Sequence, residues 1–195
     1  MSKVSIQGNA SGTGTFTIAA PNSNSNQTLT LPDQTGTVIT TAGVPKAALP
    51  TGSVLQVVNT FKNDTFSSSS QSFIDITGLS VSITPTSSSS KILVLVQFLS
   101  AATGANSPRY NLVRDSTNIA QPSGGTAPSS VQLNTASSST SLQGCIIFLD
   151  SPATTSSTTY KLQGRTDGNS FVINRRGDNA DATSVSSITV MEIAA

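Results

Sequence analysis

The densest group of residues able to do chemistry is RRGDNAD, from Arg175 to Asp181, which sets two arginines and two aspartates around Gly177 and Asn179. Its carboxylate and amide oxygens are of the kind that calcium prefers, and its arginines suit polar contacts to a sugar. Because the spacing matches no defined metal loop, we favour a solvated hairpin tip. The predicted exposed polar tip consists of Arg165, Asp167, Asn169, Arg175, Arg176, Asp178 and Asp181.

The rest of the sequence has few residues suited to catalysis. The chain has no histidine, which excludes triads, general bases and metal sites built on that side chain. Cleavage of glycosides needs two facing carboxylates and usually aromatic platforms, whereas the sequence has nine acidic residues, no Trp and two Tyr. Most of its aspartates occur in turn-like settings, where Asp closes turns for structural reasons. We therefore predict a non-enzymatic protein without metal or cofactor.

Three further positions have structural explanations. Glu192, the single glutamate, is predicted either to pair with an arginine at a subunit interface or to face outward. Cys145 is the single cysteine, which excludes an internal disulfide, and its apolar neighbours in GCIIFLD predict a small buried side chain. Tyr110, with Arg109 and Arg114 beside it, is expected to pack in a core or an interface.

The composition excludes two classes of partner. Charged residues are 10% of the 195 positions and the net charge is +1, so the dense Lys and Arg needed for nucleic acid or anionic membrane is missing. The longest apolar runs, ILVLV and CIIFL, are far shorter than the roughly 20 residues of a membrane helix. The amino terminus lacks the pattern of a secretory signal. We expect neither nucleic-acid binding nor membrane insertion.

The elements that must position these residues are strands. No window shows helical periodicity, whereas short strand patterns recur between Ser, Thr, Gly and Pro turns. A first group, TGTFTIA, QTLTL and GTVITT, has little to pack against, and a Pro-containing linker follows it. A second group reads SVLQVVNTF, SFIDI, LSVSI, KILVLVQFL, RYNLVRD, SVQLN, LQGCIIFLD, TTYKLQGR, SFVIN and SITVMEI. This spacing predicts an all-β chain: an amino-terminal segment 1–43, a linker 44–52 and a jelly-roll β-sandwich 53–195.

Several of these strands are apolar on both sides. A strand in a small sandwich buries only one face in the core, so its second apolar face needs another cover. A closed homo-oligomer supplies one, although loops or the amino-terminal segment of the same chain would also serve. The predicted interface residues of this homo-oligomer, which the resemblance described below implies to be a trimer, are Ile92, Val94, Val96, Ile146, Phe148, Phe171, Ile173 and Val190. The predicted attachment residues, in the segment without a core of its own, are Phe16, Ile18, Leu29, Leu31, Val38 and Ile39.

Phrases along nearly the whole chain resemble tail-fibre-like structural proteins of marine and cyanobacterial phages. The amino-terminal phrase is GTGTFTIAAPNSNSNQTLTLPDQTGTVITTAGVP, and the later ones are GSVLQVV, SSKILVLV, NLVRDST, LDSPATTSSTTYK and ITVMEIAA. The resemblance implies a homotrimeric jelly-roll knob similar to the complement globular-head and tumour-necrosis-factor folds. It also implies a protein made in the host bacterial cytoplasm and displayed on the virion surface.

The same resemblance suggests the partners. The amino-terminal segment would dock on another virion protein, of the capsid or the tail, and the knob would contact a host-surface glycan or envelope protein. Tail fibres of this kind are usually far longer and carry shaft repeats, whereas here the attachment segment leads almost directly to the knob. A capsid decoration protein that stabilises the shell without binding a receptor is therefore the alternative.

Overall fold

The structure, a computed structural model, describes residues 11–15, 17, 24–26, 28, 44, 49–125 and 128–195. The chain divides into two units, 1–39 and 40–195. In the first unit the described residues are exposed and lie in no strand, including Thr13, Gly14, Thr15 and Thr17 of the first predicted strand. All six predicted attachment residues, Phe16, Ile18, Leu29, Leu31, Val38 and Ile39, lie outside the described residues. Their role stays a prediction.

The second unit consists of antiparallel strands, and no helix occurs within the described residues. In the part of the chain covered, nothing is therefore helical, long and apolar enough to cross a bilayer. The strands are β1 Val54–Lys62, β2 Phe66–Ser68, β3 Ile74–Ile83, β4 Lys91–Ala102, β5 Arg109–Arg114, β6 Thr117–Ile119, β7 Val131–Gln132, β8 Ser141–Asp150, β9 Thr158–Arg165, β10 Phe171–Ile173 and β11 Ser186–Ile193. The predicted all-β sandwich is confirmed.

Two sheets form this sandwich. Sheet A has β4 at its centre, with β8 on one side and β11 followed by β1 on the other. At the far end of β4, β10 and then β2 continue sheet A. Sheet B has the order β3–β9–β5–β6, and β7 also pairs with β5. The eight strands other than β2, β7 and β10 pair first with last and so on inward: β1–β11, β3–β9, β4–β8 and β5–β6. This is a long hairpin rolled into two layers, as in a jelly roll.

Most predicted strands appear where the alternation placed them, with two differences. SFIDI and LSVSI form one strand, β3, whose register with β9 shifts between Asp75 and Ser80. Gly78 lies in this irregular stretch with a φ of 84°, a conformation that glycine adopts without a steric penalty. The short strand β2 falls in a stretch whose sequence indicated a turn, and β6 falls in a stretch for which the sequence predicted no element.

The core lies between the sheets and has an aromatic centre. Phe98 and Phe171 project from sheet A and Tyr110 from sheet B, with ring centroids 4.6 Å apart for Phe98–Tyr110 and 5.8 Å for Tyr110–Phe171. All three side chains are fully buried. The edge-on geometry of both pairs is the one that aromatic rings prefer. Tyr110 is therefore a core residue, as its sequence neighbourhood predicted.

Candidate functional site

The structure places the predicted trimer-interface residues inside the chain's own core. Ile92, Val94, Val96, Ile146, Phe171, Ile173 and Val190 are buried members of the core, and Phe148 packs against it. Their side chains contact the second sheet of the same chain, so they are not available to another copy. This corrects the predicted interface. Any surface of these strands open to a partner is formed by the alternate residues, because successive side chains of a strand point to opposite faces.

The opposite face of sheet A, called the outer face below, carries three rows of four residues in register across β1, β11, β4 and β8. The rows are Val57–Met191–Leu93–Leu149, Asn59–Thr189–Leu95–Ile147 and Phe61–Ser187–Gln97–Cys145. Ile147 is 66% exposed, Phe61 59%, Leu149 55% and Val57 54%. The first row is therefore apolar from one edge of the sheet to the other, and it continues to Ile147 and Leu95 in the second.

Charge separates the outer face from the exposed face of sheet B. None of the twelve residues in the three rows is charged. On sheet B, by contrast, Lys161 donates to Asp75 at 2.8 Å, and both Arg109 and Arg165 pair with Asp167. Exposed apolar side chains are normal when scattered, whereas a contiguous uncharged patch is typical of an interaction site. The charged exposed face of sheet B is suited to contact with solvent, whereas the outer face of sheet A is suited to contact with a partner.

One of the two-sided strands is covered by its own chain. In β10, Phe171 and Ile173 point into the core, and Val172 on the opposite side is also fully buried. For this strand the alternative explanation, cover from the same chain, is correct. It fails for β8, where Ile147 and Leu149 are more than half exposed.

Cys145 is exposed and lies on the outer face beside Gln97, so the prediction of a buried cysteine is wrong. The apolar run around it suggested burial. However, the strand alternates, and Cys145 shares the outward side with Ile147 and Leu149. Its position makes it a native probe of whatever covers this face.

The residues of the predicted tip fall into two clusters. In the first, Asp167 accepts hydrogen bonds from Arg109 and Arg165, and the Arg165 guanidinium lies 5.8 Å from the centroid of the Phe73 ring. Asn169 belongs to the same turn: its side-chain amide donates to the carbonyl of Ala105, and its own carbonyl accepts from Thr166. Arg109, expected to pack or to line an interface, instead holds this turn to β5.

The second cluster is the loop from Arg175 to Asp181. Arg176 pairs with Asp178 at 2.9 Å, and the Asn179 side chain accepts from the backbone N–H of Asp181. A β-carbon on Gly177 would lie 1.8 Å from the Ala102 carbonyl oxygen, so only glycine fits there. No ion pair or hydrogen bond between described residues joins this loop to the Asp167 cluster. No group of three or more acidic, His or Cys side chains occurs among them that would hold a metal ion.

At the other end of the sandwich, Glu192 is fully buried and is held by neutral donors. Its Oε1 accepts from the N–H and the hydroxyl of Thr86 at 2.6 and 2.7 Å, and its Oε2 accepts from Gln56 Nε2 at 2.6 Å. Both predicted roles for Glu192, an arginine pair or an outward position, are therefore wrong. Thr86 also lines a pocket of about 360 Å³ with Leu49, Leu55, Ser87 and Ala194.

The hydrogen bonds to Glu192 make the free energy of unfolding depend on pH in the acidic range. Burial acts to raise the pKa of Glu192, but hydrogen bonds from Thr86 and Gln56 outweigh it and hold the pKa below the ordinary 4.5. A carboxyl with a lowered folded-state pKa contributes stability above pH 4.5, and that contribution disappears as the pH falls through the folded-state value.

We expect Glu192→Gln to lower the free energy of unfolding by about 1–3 kcal/mol at neutral pH, because the new amide donor faces the Gln56 donor. Urea unfolding measured from neutral pH down to about pH 3 should show the gap between variant and natural protein narrowing below pH 4.5. Asp178→Asn, in an exposed pair, is the control. A gap of constant size over this pH range would contradict the account.

Comparisons with known proteins give little beyond this geometry. A scan against protein families finds no match, and a search of curated proteins finds none. Among solved structures, the chain is similar to the infectious bursal disease virus Gx strain at 14% identity and a TM-score of 0.37, covering 80% of this chain and 47% of that one. It is also similar to the VP2 subviral particle of that virus at 15% identity and a TM-score of 0.31, covering 72% and 38%. The chain spans less than half the length of these neighbours, and TM-scores this low carry no argument about fold or function.

Proposed function

We propose that the chain is a non-enzymatic structural protein of a phage particle, assembled as a homotrimer on the virion surface. Its amino-terminal segment docks on another virion protein, and its knob, exposed for host-surface adhesion, contacts a glycan or envelope protein. The resemblance of its sequence phrases to phage tail-fibre-like proteins supports the virion role. The observation that carries the trimer is the set of three uncharged rows on the outer face of sheet A, in a chain whose other sheet is charged on the outside.

A second copy fits this face better than a charged partner does. An uncharged face meets its own copy without like-charge repulsion, whereas an acidic or basic partner would lose hydration against it without compensation. Four strands at about 4.8 Å spacing and five residues at about 3.4 Å rise give a projected area on the order of 330 Å². A stable interface hides about 800 Å² of accessible surface per partner, so this face would supply a substantial part of it.

The closed trimer surrounds one axis with three outer faces, and no such face is left exposed. The tip clusters at Asp167 and at Arg175–Asp181 then lie on loops away from the sheet and are open to a receptor. Their arginines are largely neutralised by neighbouring aspartates. Contacts with a host would therefore be weak individually and would gain strength from three copies held together.

The decoration alternative is favoured by the shortness of the linker sequence between the attachment segment and the knob. Copy number separates the two roles, because tail fibres follow tail symmetry and decoration proteins follow the many equivalent positions of a shell. Mass spectrometry of purified particles measures the ratio of this chain to the major shell protein. About six or twelve trimers would support a fibre, and tens of trimers would support decoration. Absence of the chain from particles would overturn both.

The single cysteine offers a direct test of the trimer. Because every cross-link through Cys145 must join two copies, a short bismaleimide should produce dimers on a denaturing gel if the outer faces meet. The control is Cys145→Ser carrying Ser82→Cys, which moves the thiol to the exposed face of sheet B and should not cross-link. A chain that is monomeric at micromolar concentration and gives no Cys145 cross-link would contradict the proposal.

A further inference from the structure

One edge of sheet A is open. β8 pairs with β4 over ten residues without a bulge, and no other strand formed by the described residues pairs with its far side. Within residues 49–125 and 128–195, no backbone hydrogen bond from β8 reaches anything except β4. A long edge strand is usually protected by lysine, proline or a bulge. β8 has none of these, and its single charged residue, Asp150, is its last and is bound to Arg114 and Tyr160.

The same chain carries a segment whose sequence predicts a strand with little apolar sequence nearby to pack against. Thr28 to Leu31 reads TLTL, and from Thr28 to Thr41 the single charge is Asp33. Alternating threonine and leucine give this segment one apolar side and one hydroxyl side, which suits the edge of a half-exposed sheet. Leu29 and Leu31 lie outside the described residues. The described residues between 11 and 28 are all exposed.

The side chains of the segment and of β8 match in spacing. On β8, Ile147 and Leu149 end the first two rows of the outer face and are two residues apart. Leu29 and Leu31 are also two residues apart, so one added strand would extend both rows by one leucine each. The added strand would satisfy the free backbone groups of β8 by strand addition, a mode in which main-chain hydrogen bonds supply the affinity. Neither strand brings a charge to the middle of the contact.

We infer that Thr28–Leu31 of one copy adds to the free edge of β8 in a neighbouring copy. The inference rests on the proposed trimer, because exchange needs a second copy beside the first. The connection from Leu31 to Leu49 can span up to about 60 Å, which is ample for reaching a neighbour. The exchanged strand becomes the fifth strand of the outer face. It ties the three knobs together and leaves Phe16 and Ile18 for contact with the particle.

Disulfide trapping in the full chain tests this exchange. All proteins carry Cys145→Ser; one copy carries Leu31→Cys, and a second copy, with a larger tag, carries Ile147→Cys. After co-expression and mild oxidation we expect a band containing both copies, at a level at least about tenfold above the control. The control replaces the second copy by Ser82→Cys, on the exposed face of sheet B. Leu29→Cys repeats the test one register position away.

Each outcome decides the inference. A mixed band with Leu29→Cys or Leu31→Cys supports it. No mixed band in a preparation that native mass spectrometry shows to be trimeric overturns the exchange and leaves the trimer standing. A chain that stays monomeric overturns the proposed function and the exchange together.

Discussion

Ile147→Lys is expected to turn the trimer into a folded monomer. Ile147 is 66% exposed in the single chain and lies in the middle row of the outer face, beside Leu95 and on the edge strand β8. A lysine there would be stripped of water in the assembled interface without an acidic partner, at a cost of several kcal/mol per subunit. The same lysine in the monomer would be solvated, so the fold should be unaffected. Analytical ultracentrifugation should show a dissociation constant raised at least about 100-fold.

The control for this change is Ser82→Lys on sheet B. Ser82 is an exposed strand residue whose hydroxyl bonds to Thr159, so a lysine there adds the same charge at the same depth of burial. We expect this control to remain trimeric with unchanged stability. A trimeric Ile147→Lys protein would mean that the outer face is not the subunit interface.

Asp150→Ala is expected to cost about 2–4 kcal/mol of unfolding free energy, the largest stability loss among the polar positions. The Asp150 carboxylate is buried and accepts from Arg114 at 2.8 Å through both oxygens and from the Tyr160 hydroxyl at 2.7 Å. Burial and the bond to Asp150 both raise the pKa of Tyr160, so its hydroxyl remains a donor at ordinary pH. Removing the carboxylate leaves that buried hydroxyl and the guanidinium unpaired.

Urea denaturation measured in the monomeric Ile147→Lys background keeps association out of this measurement. Tyr160→Phe, which removes a single bond of the network, should cost about 1 kcal/mol. Asp178→Ala, in a surface pair with Arg176, should change the free energy of unfolding by less than about 0.5 kcal/mol. Equal losses for Asp150→Ala and Asp178→Ala would refute the argument from burial.

Strand positions were largely predictable from the sequence because alternation and turn residues are local signals. β2 and β6 were missed because their sequences, FSS and TNI, show no alternation of apolar and polar residues, and they form only where β10 and β5 present an edge to pair with. The join of SFIDI and LSVSI depends on a bulge at Gly78, which alternation alone does not reveal. The fold class therefore follows from local pattern, and its irregular pieces follow from tertiary pairing.

The side of each strand that faces the core was not predictable from the apolar runs. In ILVLV and CIIFL both alternate sets are apolar, so periodicity gives no preference. A weaker signal was present in the partner strands: Asn59 in β1 and Thr189 in β11 are polar, and they mark the outward side of sheet A. Reading those strands first would have assigned Leu93, Ile147 and Leu149 to the outer face. The hydrogen bonds to Glu192 could not be predicted, because Gln56 and Thr86 are distant from Glu192 in the sequence.

The nesting of strand pairs from the outside inward has a consequence for biosynthesis. β1 pairs with β11, with Val58 opposite Val190. Sheet A is therefore complete only when the last strand of the sandwich is present to pair with the first. Non-local pairing of this kind slows folding and leaves strands unpaired for longer. The knob can therefore close only after translation of β11 is finished. Until then the apolar faces of the strands of a nascent chain are exposed to other nascent chains on the same mRNA. Fewer ribosomes per mRNA, or a host chaperone, would therefore raise the yield of folded protein.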